Sequence, residues 1–329
     1  MAAEPLVLGV DVGGTKVAAA PVVGGKAERV VSRPTPLTGP DALLEGIEST
    51  VNEVTDAVGA PAAIGVGMPS QIEYATGTIV SSVNIPLTGV PLREELGRRF
   101  GVPVYVDNDA NCATLAEAEE VGTGELVMLT LGTGVGGGVV TGGRIFRGAH
   151  GLGAELGHFA IDANGPPCPG SCPNRGCVEA LCSGTALERD ATELGKARPE
   201  TSIGTIQAEH GRVRGREVVD LARAGDEHAL GLLEQLGTWL GVAIAGYVNV
   251  FEPEHFAIGG GLSGAADLFL ERARDEAASR ALPALWERVE LAVAVGGADA
   301  GVIGAGLLAA HELQLGPSSV EGLATEGGR

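Results

Sequence analysis

Apolar residues in this chain fall in short runs separated by glycine, proline and charge, and the runs keep changing period. "LVLGVDV" (6–12) is a continuous apolar run, "GGTK" a turn, and "VAAAPVV" a second run. They read as two buried strands joined by a Gly-rich turn. Residues 41–58 then place Leu43, Leu44, Ile47, Val51, Val54 and Val58 at helical spacing. Asp41 is the expected N-cap of that helix and Gly59 its stop. "AAIGVGM" (62–68) reads as a strand. Pro91 is expected to open a helix running through Phe100, and "VPVYVDN" (102–108) reads as a strand. A helix, "DANCATLAEAEE", follows from Asp109. The second half predicts helices over 184–197 and 226–250, the strand "HFAI" leading through "GGGLSGA" into a further helix, a strand at 289–295, and a last helix from Asp299 to about Leu313. Strands alternating with helices make the class α/β. The polar, small-residue tail 314–329 is expected to be mobile.

One pattern occurs twice. "LGVDVGGTKVAAAPVVGGK" (8–26) and "LTLGTGVGGGVVTGGR" (129–144) each run apolar strand, Gly-rich turn, apolar strand, Gly-Gly and a base. Either the chain holds two copies of one α/β unit facing each other, or any Gly-rich hairpin resembles another. The expected division is a smaller lobe over 1–120, with the helix at about 299–313 a candidate to fold back onto it, and a larger lobe over 121–298.

Composition narrows the function. The 329 residues include 22 basic and 42 acidic side chains, a formal net charge of −20. Such a surface repels nucleic acid and anionic membrane, so neither is an expected partner. The longest apolar run, "WLGVAIAGYVNVF", is shorter than the roughly 20 residues a bilayer needs. The start, "MAAEPLVLGVD", has no basic n-region, so the expected location is cytoplasmic. The 53 glycines punctuate apolar runs and form neither a linker nor a fixed repeat. Five cysteines, mostly clustered, in such a chain favour metal or catalysis over disulfides.

Five stretches carry candidate chemistry. "DVGGTK" sets Asp11 at a strand end, followed by Gly13, Gly14, Thr15 and Lys16. The glycine amides can approach a phosphate, and Asp11 can hold Mg²⁺ through water; an ordinary hairpin is the plain alternative. "LGTGVGGGVV" matches G-x-G-x-x-G, but a strand rather than a helix follows, which rejects the dinucleotide reading. The amides of Gly132, Thr133 and Gly134 fit a phosphate cradle better. In "GGGL" (259–262), Gly260 and Gly261 could abut the adenine or ribose of a nucleotide, or simply make a tight turn. "VDNDAN" puts Asp109 where it serves either as an N-cap or as a catalytic carboxylate. Finally, His158, Cys168, Cys172 and Cys177 form a His-Cys₃ set in a Pro- and Gly-rich loop, the donor set of a structural Zn²⁺. Cys182 is a substitute ligand in or near the next helix, and Cys112 a small buried side chain.

In order along the chain, "DVGGTK", "NDAN", "LGTGVGGG", "ELGH", the cysteine cluster ending "GCVE", "GGGL" and "GVIGAG" resemble the ROK family of bacterial sugar kinases and sugar-responsive repressors, its glucokinases most. The resemblance implies an actin/hexokinase-like ATPase fold: two RNase-H-like lobes, an interlobe cleft and a zinc loop at 158–177. It implies ATP-dependent phosphorylation of glucose at the 6-hydroxyl, with Asp109 as general base and Mg²⁺ accompanying ATP. Asn84, Asn108, Glu155, His158 and Glu179 match sugar contacts; Asp11, Gly14, Thr15 and Thr133 match the phosphate side. Mannose, fructose, N-acetylmannosamine or a polyphosphate donor stay open, as does dimer or tetramer for the expected homo-oligomer. Repressors of the family carry a helix-turn-helix ahead of the core; with "DVGGTK" at residue 11, that reading has no room. Two departures stand out. Cys168 and Cys172 are two residues further apart than in the usual C-x-C-G-x-x-G-C, and "GMPSQIE" has Ser70 where glycine is more usual.

Overall fold

The computed structural model describes residues 5–82 and 84–315. Of the expected tail 314–329, the first two residues, Gln314 and Leu315, belong to the last helix, and 316–329 lie outside the described residues. In chain order the first elements are β1 (Val7–Val12), β2 (Lys16–Val23), β3 (Lys26–Ala27), β4 (Val31–Pro34), α1 (Pro40–Val58), β5 (Ala63–Met68), β6 (Ser70–Glu73), β7 (Thr78–Ser82), α2 (Leu92–Phe100), β8 (Val104–Asn108) and α3 (Asp109–Val121). They are followed by β9 (Leu126–Leu131), β10 (Val135–Thr141), β11 (Arg144–Ile145), α4 (Val178–Cys182), α5 (Gly184–Ala197), α6 (Ser202–His210), α7 (Gly215–Arg223) and α8 (Glu227–Phe251). The chain closes with β12 (His255–Gly259), α9 (Leu270–Arg280), α10 (Pro283–Trp286), β13 (Glu290–Val293) and α11 (Ala300–Leu315).

These elements divide into two compact units. The first runs from the start of the chain to Gly124 and takes in Gly138–Ala154 and the segment from Val295 on; the second holds Glu125–Gly137 and Glu155–Ala294. The stretch Gly138–Ala154 thus belongs with the first unit although it lies inside the span expected for the second lobe.

The first unit's sheet has the order β3-β2-β1-β5-β8, with β4 on β2. β1 pairs antiparallel with β2 and parallel with β5, and β5 pairs parallel with β8. The two-residue period of a strand decides what covers each face. Leu8, Val10 and Val12 of β1, Val17 and Ala19 of β2, and Ile64, Val66 and Met68 of β5 pack with Leu43, Leu44, Ile47 and Val51 of α1 in one buried core. The alternate positions are small, and α11 lies on them. A Cβ on Gly9 would sit 1.9 Å from the Val302 carbonyl oxygen, and one on Gly65 1.7 Å from that of Ala305. Gly304 of α11 likewise abuts the Cys112 carbonyl of α3, at 1.7 Å from where its Cβ would be. Helix and sheet approach so closely because neither presents a side chain there.

The other sheet runs β11-β10-β9-β12-β13. Its hairpin-first order repeats that of the first sheet, so the sequence repeat corresponds to β1-β2-β3 and β9-β10-β11. In the second unit α8 crosses α9 at Gly237 and Gly241, where a Cβ would come within 2.5 Å of the Phe269 and Ala273 carbonyl oxygens. By length and composition α8 could span a bilayer, yet over half of its most apolar window is buried within the fold. Only the uninterrupted apolar run is too short for that.

Several boundaries differ from the sequence reading. Gly39, not Asp41, is the N-cap of α1; Pro40 opens the helix and Asp41 lies in its first turn. Pro91 precedes α2 as its cap rather than opening it. β13 ends at Val293, and beyond it the amides of Val295 and Gly296 donate to the buried carboxylate of Glu117, drawing the chain away from ladder geometry. "GLSGAADL" is a kinked 3₁₀ turn, broken at Ala265, before α9 begins.

Candidate active site

In the first unit, candidate residues meet at the carboxyl ends of parallel strands, where open α/β sheets bind ligands. Asp11 of β1 is in register with Gly67 of β5, and Gly67 with Asp107 of β8. Asn108 ends β8 and Asp109 begins α3. The sequence left two roles open for Asp109, and the structure gives the cap to its neighbour. Asn108 Oδ1 accepts from the amides of Ala110 at 2.8 Å and Asn111 at 3.3 Å. Its Nδ2 donates to the Ser70 carbonyl at 3.3 Å. Asp109 is therefore the first residue inside the helix, half-buried, its Oδ1 accepting from the Ala110 amide at 2.9 Å. Ser70, the departure noted in the sequence, is buried and its hydroxyl bonds that of Ser82 across the β6–β7 hairpin.

Asp11 and Asp109 both come close to the buried Cys112. Burial first, and then the carboxylates of Asp107, Asp109 and Asp11, push that thiol up. Burial also raises the pKa of Asp11 above its ordinary 3.8, opposed by the charge of Lys16. The loop 13–16 is tied by the Gly13 amide to the Lys16 carbonyl at 2.9 Å and by the Thr35 hydroxyl to the Gly13 carbonyl at 2.6 Å. Neither Gly13 nor Gly14 has a positive φ. A Cβ on Gly13 would meet only the Lys16 carbonyl oxygen at 3.4 Å, and one on Gly14 only Asn84 Cβ at 4.0 Å. The fold itself does not require these glycines, and Gly14, Thr15 and Lys16 are exposed. Asn84 is exposed beside them.

In the second unit, the turn between β9 and β10 is fixed from below by α5. The Gly184 amide donates to the Gly132 carbonyl at 2.8 Å, and the Thr185 hydroxyl to the Thr133 carbonyl at 2.7 Å. Gly134 has an internal reason to be glycine that the sequence did not reveal. Its Cβ would lie 2.3 Å from Glu179 Oε2, the oxygen that accepts the Val135 amide at 2.9 Å. Gly260, at φ 82°, would drive a Cβ into the Leu131 backbone at 2.4 Å, whereas Gly261 faces open space. Gly260 is thus spent on packing and Gly261 stays available to a ligand.

Glu155 is exposed and precedes the 3₁₀ turn Leu156–His158, where the His158 amide donates to its carbonyl at 3.0 Å. Gly157 presses that turn on β10, 2.0 Å from Cβ position to the Val135 carbonyl oxygen. The ligand atoms of His158, Cys168, Cys172 and Cys177 all lie within 4.8 Å of one another. The imidazole turns Nδ1 toward the cluster, 3.4 Å from Cys168 Sγ. A tetrahedral zinc with bonds of about 2.3 Å sets its sulfurs roughly 3.8 Å apart, so this donor set fits such an ion with little movement. The wider Cys168–Cys172 spacing is absorbed in the loop. Cys168 Sγ also approaches Glu179 Oε1 at 3.9 Å, so the cluster and Glu179 adjoin. The five cysteines are unpaired; Cys112 and Cys182 are fully buried and outside the cluster.

The sequence reading passed over Asp107, Asn111 and Arg147. Asp107 Oδ1 accepts from Asn111 Nδ2 and from the Asn108 amide, both at 2.8 Å, and its Oδ2 from Arg147 Nε at 2.7 Å. The signal was present in "VDNDAN", where Asp107 and Asn111 are one helical turn apart. Arg147, forty residues away, left none.

The paired five-strand orders and the residues at their strand ends define the actin/hexokinase-like ATPase fold of sugar kinases. A ROK hexokinase from Thermus thermophilus superposes with a TM-score of 0.81 at 36% identity, covering 94% of this chain and 100% of that one. A ROK glucokinase from Streptomyces griseus, solved with glucose and AMPPNP, gives 0.76 at 30% identity over 93% and 100%. The ROK family model matches residues 7–312, and the chain belongs to the ROK family. A glucokinase of Thermotoga maritima is 36% identical over 304 residues, 91% of this chain and 95% of its own. The family and fold expected from the ordered motifs are those found.

Proposed function

We propose that this chain is an ATP-dependent hexose kinase that phosphorylates glucose at its 6-hydroxyl. The observation that carries the reading is the β8–α3 turn. Asn108 supplies the helix cap, so Asp109 is not needed for it, and the helix amides favour its anionic form. Asp109 takes the proton of the 6-hydroxyl as that oxygen bonds the γ-phosphorus; the bond from phosphorus to the β–γ bridging oxygen breaks and ADP leaves. Asn84, Asn108, Glu155, His158 and Glu179 bind sugar hydroxyls. The amides of Gly14 and Thr133, with Thr15 and Lys16, bind phosphate oxygens, those of Gly13 and Gly132 being given to the carbonyls of Lys16 and Gly134, and Gly261 lies against the nucleoside. Bound Mg²⁺ would neutralise phosphate charge, with Asp11 its protein anchor.

His158, Cys168, Cys172 and Cys177 would hold a structural Zn²⁺ that supplies no redox chemistry. With Nδ1 facing the cluster, His158 keeps Nε2 for a sugar hydroxyl. Because Glu179 lies two residues after Cys177, the same loop would position two sugar contacts. The protein works in the cytoplasm as a homo-oligomer.

The test is Asp109→Asn. Turnover in a coupled ADP assay should fall by about 100-fold or more, with glucose affinity by calorimetry changed little. Near-normal turnover would remove Asp109 from the mechanism. Comparing kcat/KM for glucose, mannose, fructose and N-acetylmannosamine, each with ATP and with polyphosphate, checks the substrate and donor.

A further inference from the structure

Arg147 is a largely buried cation, its side chain 16% exposed, with three partners, all in the first unit. Its Nε meets Asp107 at 2.7 Å, its Nη2 lies 3.6 Å from Glu312 of α11, and its guanidinium stacks 3.8 Å from the centroid of the Tyr74 ring. Burial opposes the charge, but Asp107, Tyr74 and Glu312 outweigh it and the guanidinium stays protonated. Asp107 stands between this cation and the β8–α3 turn. One carboxylate oxygen takes Arg147; the other takes the Asn108 amide and the Asn111 side chain. Both oxygens of one planar group are committed, so the place of the arginine fixes the plane of the carboxylate and thereby Asn108 and Asn111, on either side of Asp109 along the chain.

The cap of α3 does not depend on this chain of bonds. Asn108 Oδ1 holds the Ala110 and Asn111 amides directly. Losing Arg147 would loosen the turn without unwinding the helix. Arg147 also lines a cavity of about 610 Å³ with Leu115, Ile145, Leu308, His311 and Glu312, so its site is reachable from solvent by a small molecule.

We propose that Arg147 is a positioning residue for the reaction, acting through Asp107 to hold the Asn108–Asp109 turn in register for proton transfer. The proposal rests on Asp109 being the base. A displacement of about 1 Å at a reacting group costs on the order of 100-fold in rate, which sets the effect to look for.

Arg147→Ala should lower kcat by about 100-fold while circular dichroism stays that of the parent. Methylguanidinium, which fits the vacated fork, should enter through the cavity and restore kcat by about tenfold or more, whereas methylammonium at equal concentration should not. Asp107→Asn should reproduce the loss without being rescued. The double variant Arg147→Met with Asp107→Asn, which removes both charges of that pair, should be no more active than either single one. Normal turnover of Arg147→Ala, equal rescue by methylammonium, or recovery of parental kcat in the double variant would each overturn the proposal. Should Arg147→Ala fail to fold, Arg147→Lys keeps the charge but not the fork, and parental kcat there would overturn it as well. Asp109→Asn separates the two readings: if it is inactive and Arg147→Ala is active, the base stands and the positioning role falls; if Asp109→Asn is active, the base itself is wrong.

Discussion

Asp11 shows at the scale of one residue how a site costs its own fold stability. Its pKa is raised by burial, so the folded chain binds that proton more tightly than the unfolded chain does. Stability from this group is therefore greatest below pH 3.8 and falls as the pH rises through the higher folded value. At neutral pH the desolvated carboxylate is a net burden. Asp11→Asn should raise the melting temperature at pH 7, with a gain that shrinks toward pH 4, while reducing activity with Mg·ATP by about tenfold or more. Differential scanning fluorimetry across pH, alongside kcat/KM for ATP, checks both halves. A variant less stable at pH 7 would contradict the burial argument. At this scale the sequence offered Asp109 as either cap or catalytic carboxylate and could not decide between the two. Cap and base differ only in which of two adjacent side chains turns back to the helix amides, and that is a matter of backbone angles at Asn108.

Among elements, the cysteine loop and the last helix make opposite cases. The loop's donors were legible because His-Cys₃ chemistry is local in sequence and the turn residues between them bring the ends together. We expect metal analysis to find about one zinc per chain, and its removal by a chelator to raise the glucose KM by about tenfold while moving the ATP KM less. Equal effects on both would mean the ion supports the fold as a whole. The last helix was legible as a helix, but not its seat. Gly65 is glycine because α11 lies on it, and Gly65→Ala should destabilise the protein by about 3 kcal/mol, measured by urea unfolding. A loss below about 1 kcal/mol would show that helix and sheet can separate easily there.

For the whole molecule, chain order and spatial order disagree. The first unit starts at β1 and is completed only by α11, nearly three hundred residues on, which packs on β1, β5 and α3. A chain ended after Gly296 should therefore lose cooperative unfolding and solubility, although β1–β8 and α1–α3 are all present; a sharp single transition in that truncation would show that α11 is dispensable. The charge of −20 acts at this scale too. It bears on solubility and partners rather than on the fold, and sedimentation at several salt concentrations will show whether the proposed homo-oligomer forms against its own repulsion.

The sequence by itself determined the α/β alternation, the repeated hairpin, the ordered motifs and the metal-type donor set. Each depends on neighbours a few residues apart, where periodicity, turn chemistry and ligand spacing act directly. Only the tertiary structure decided that Asn108 caps and Asp109 does not, that Gly134 makes room for Glu179, that Gly138–Ala154 joins the first unit, and that Arg147 holds Asp107. Those outcomes hang on contacts between residues distant in sequence, and such contacts are set by which faces of strands and helices the packing turns together.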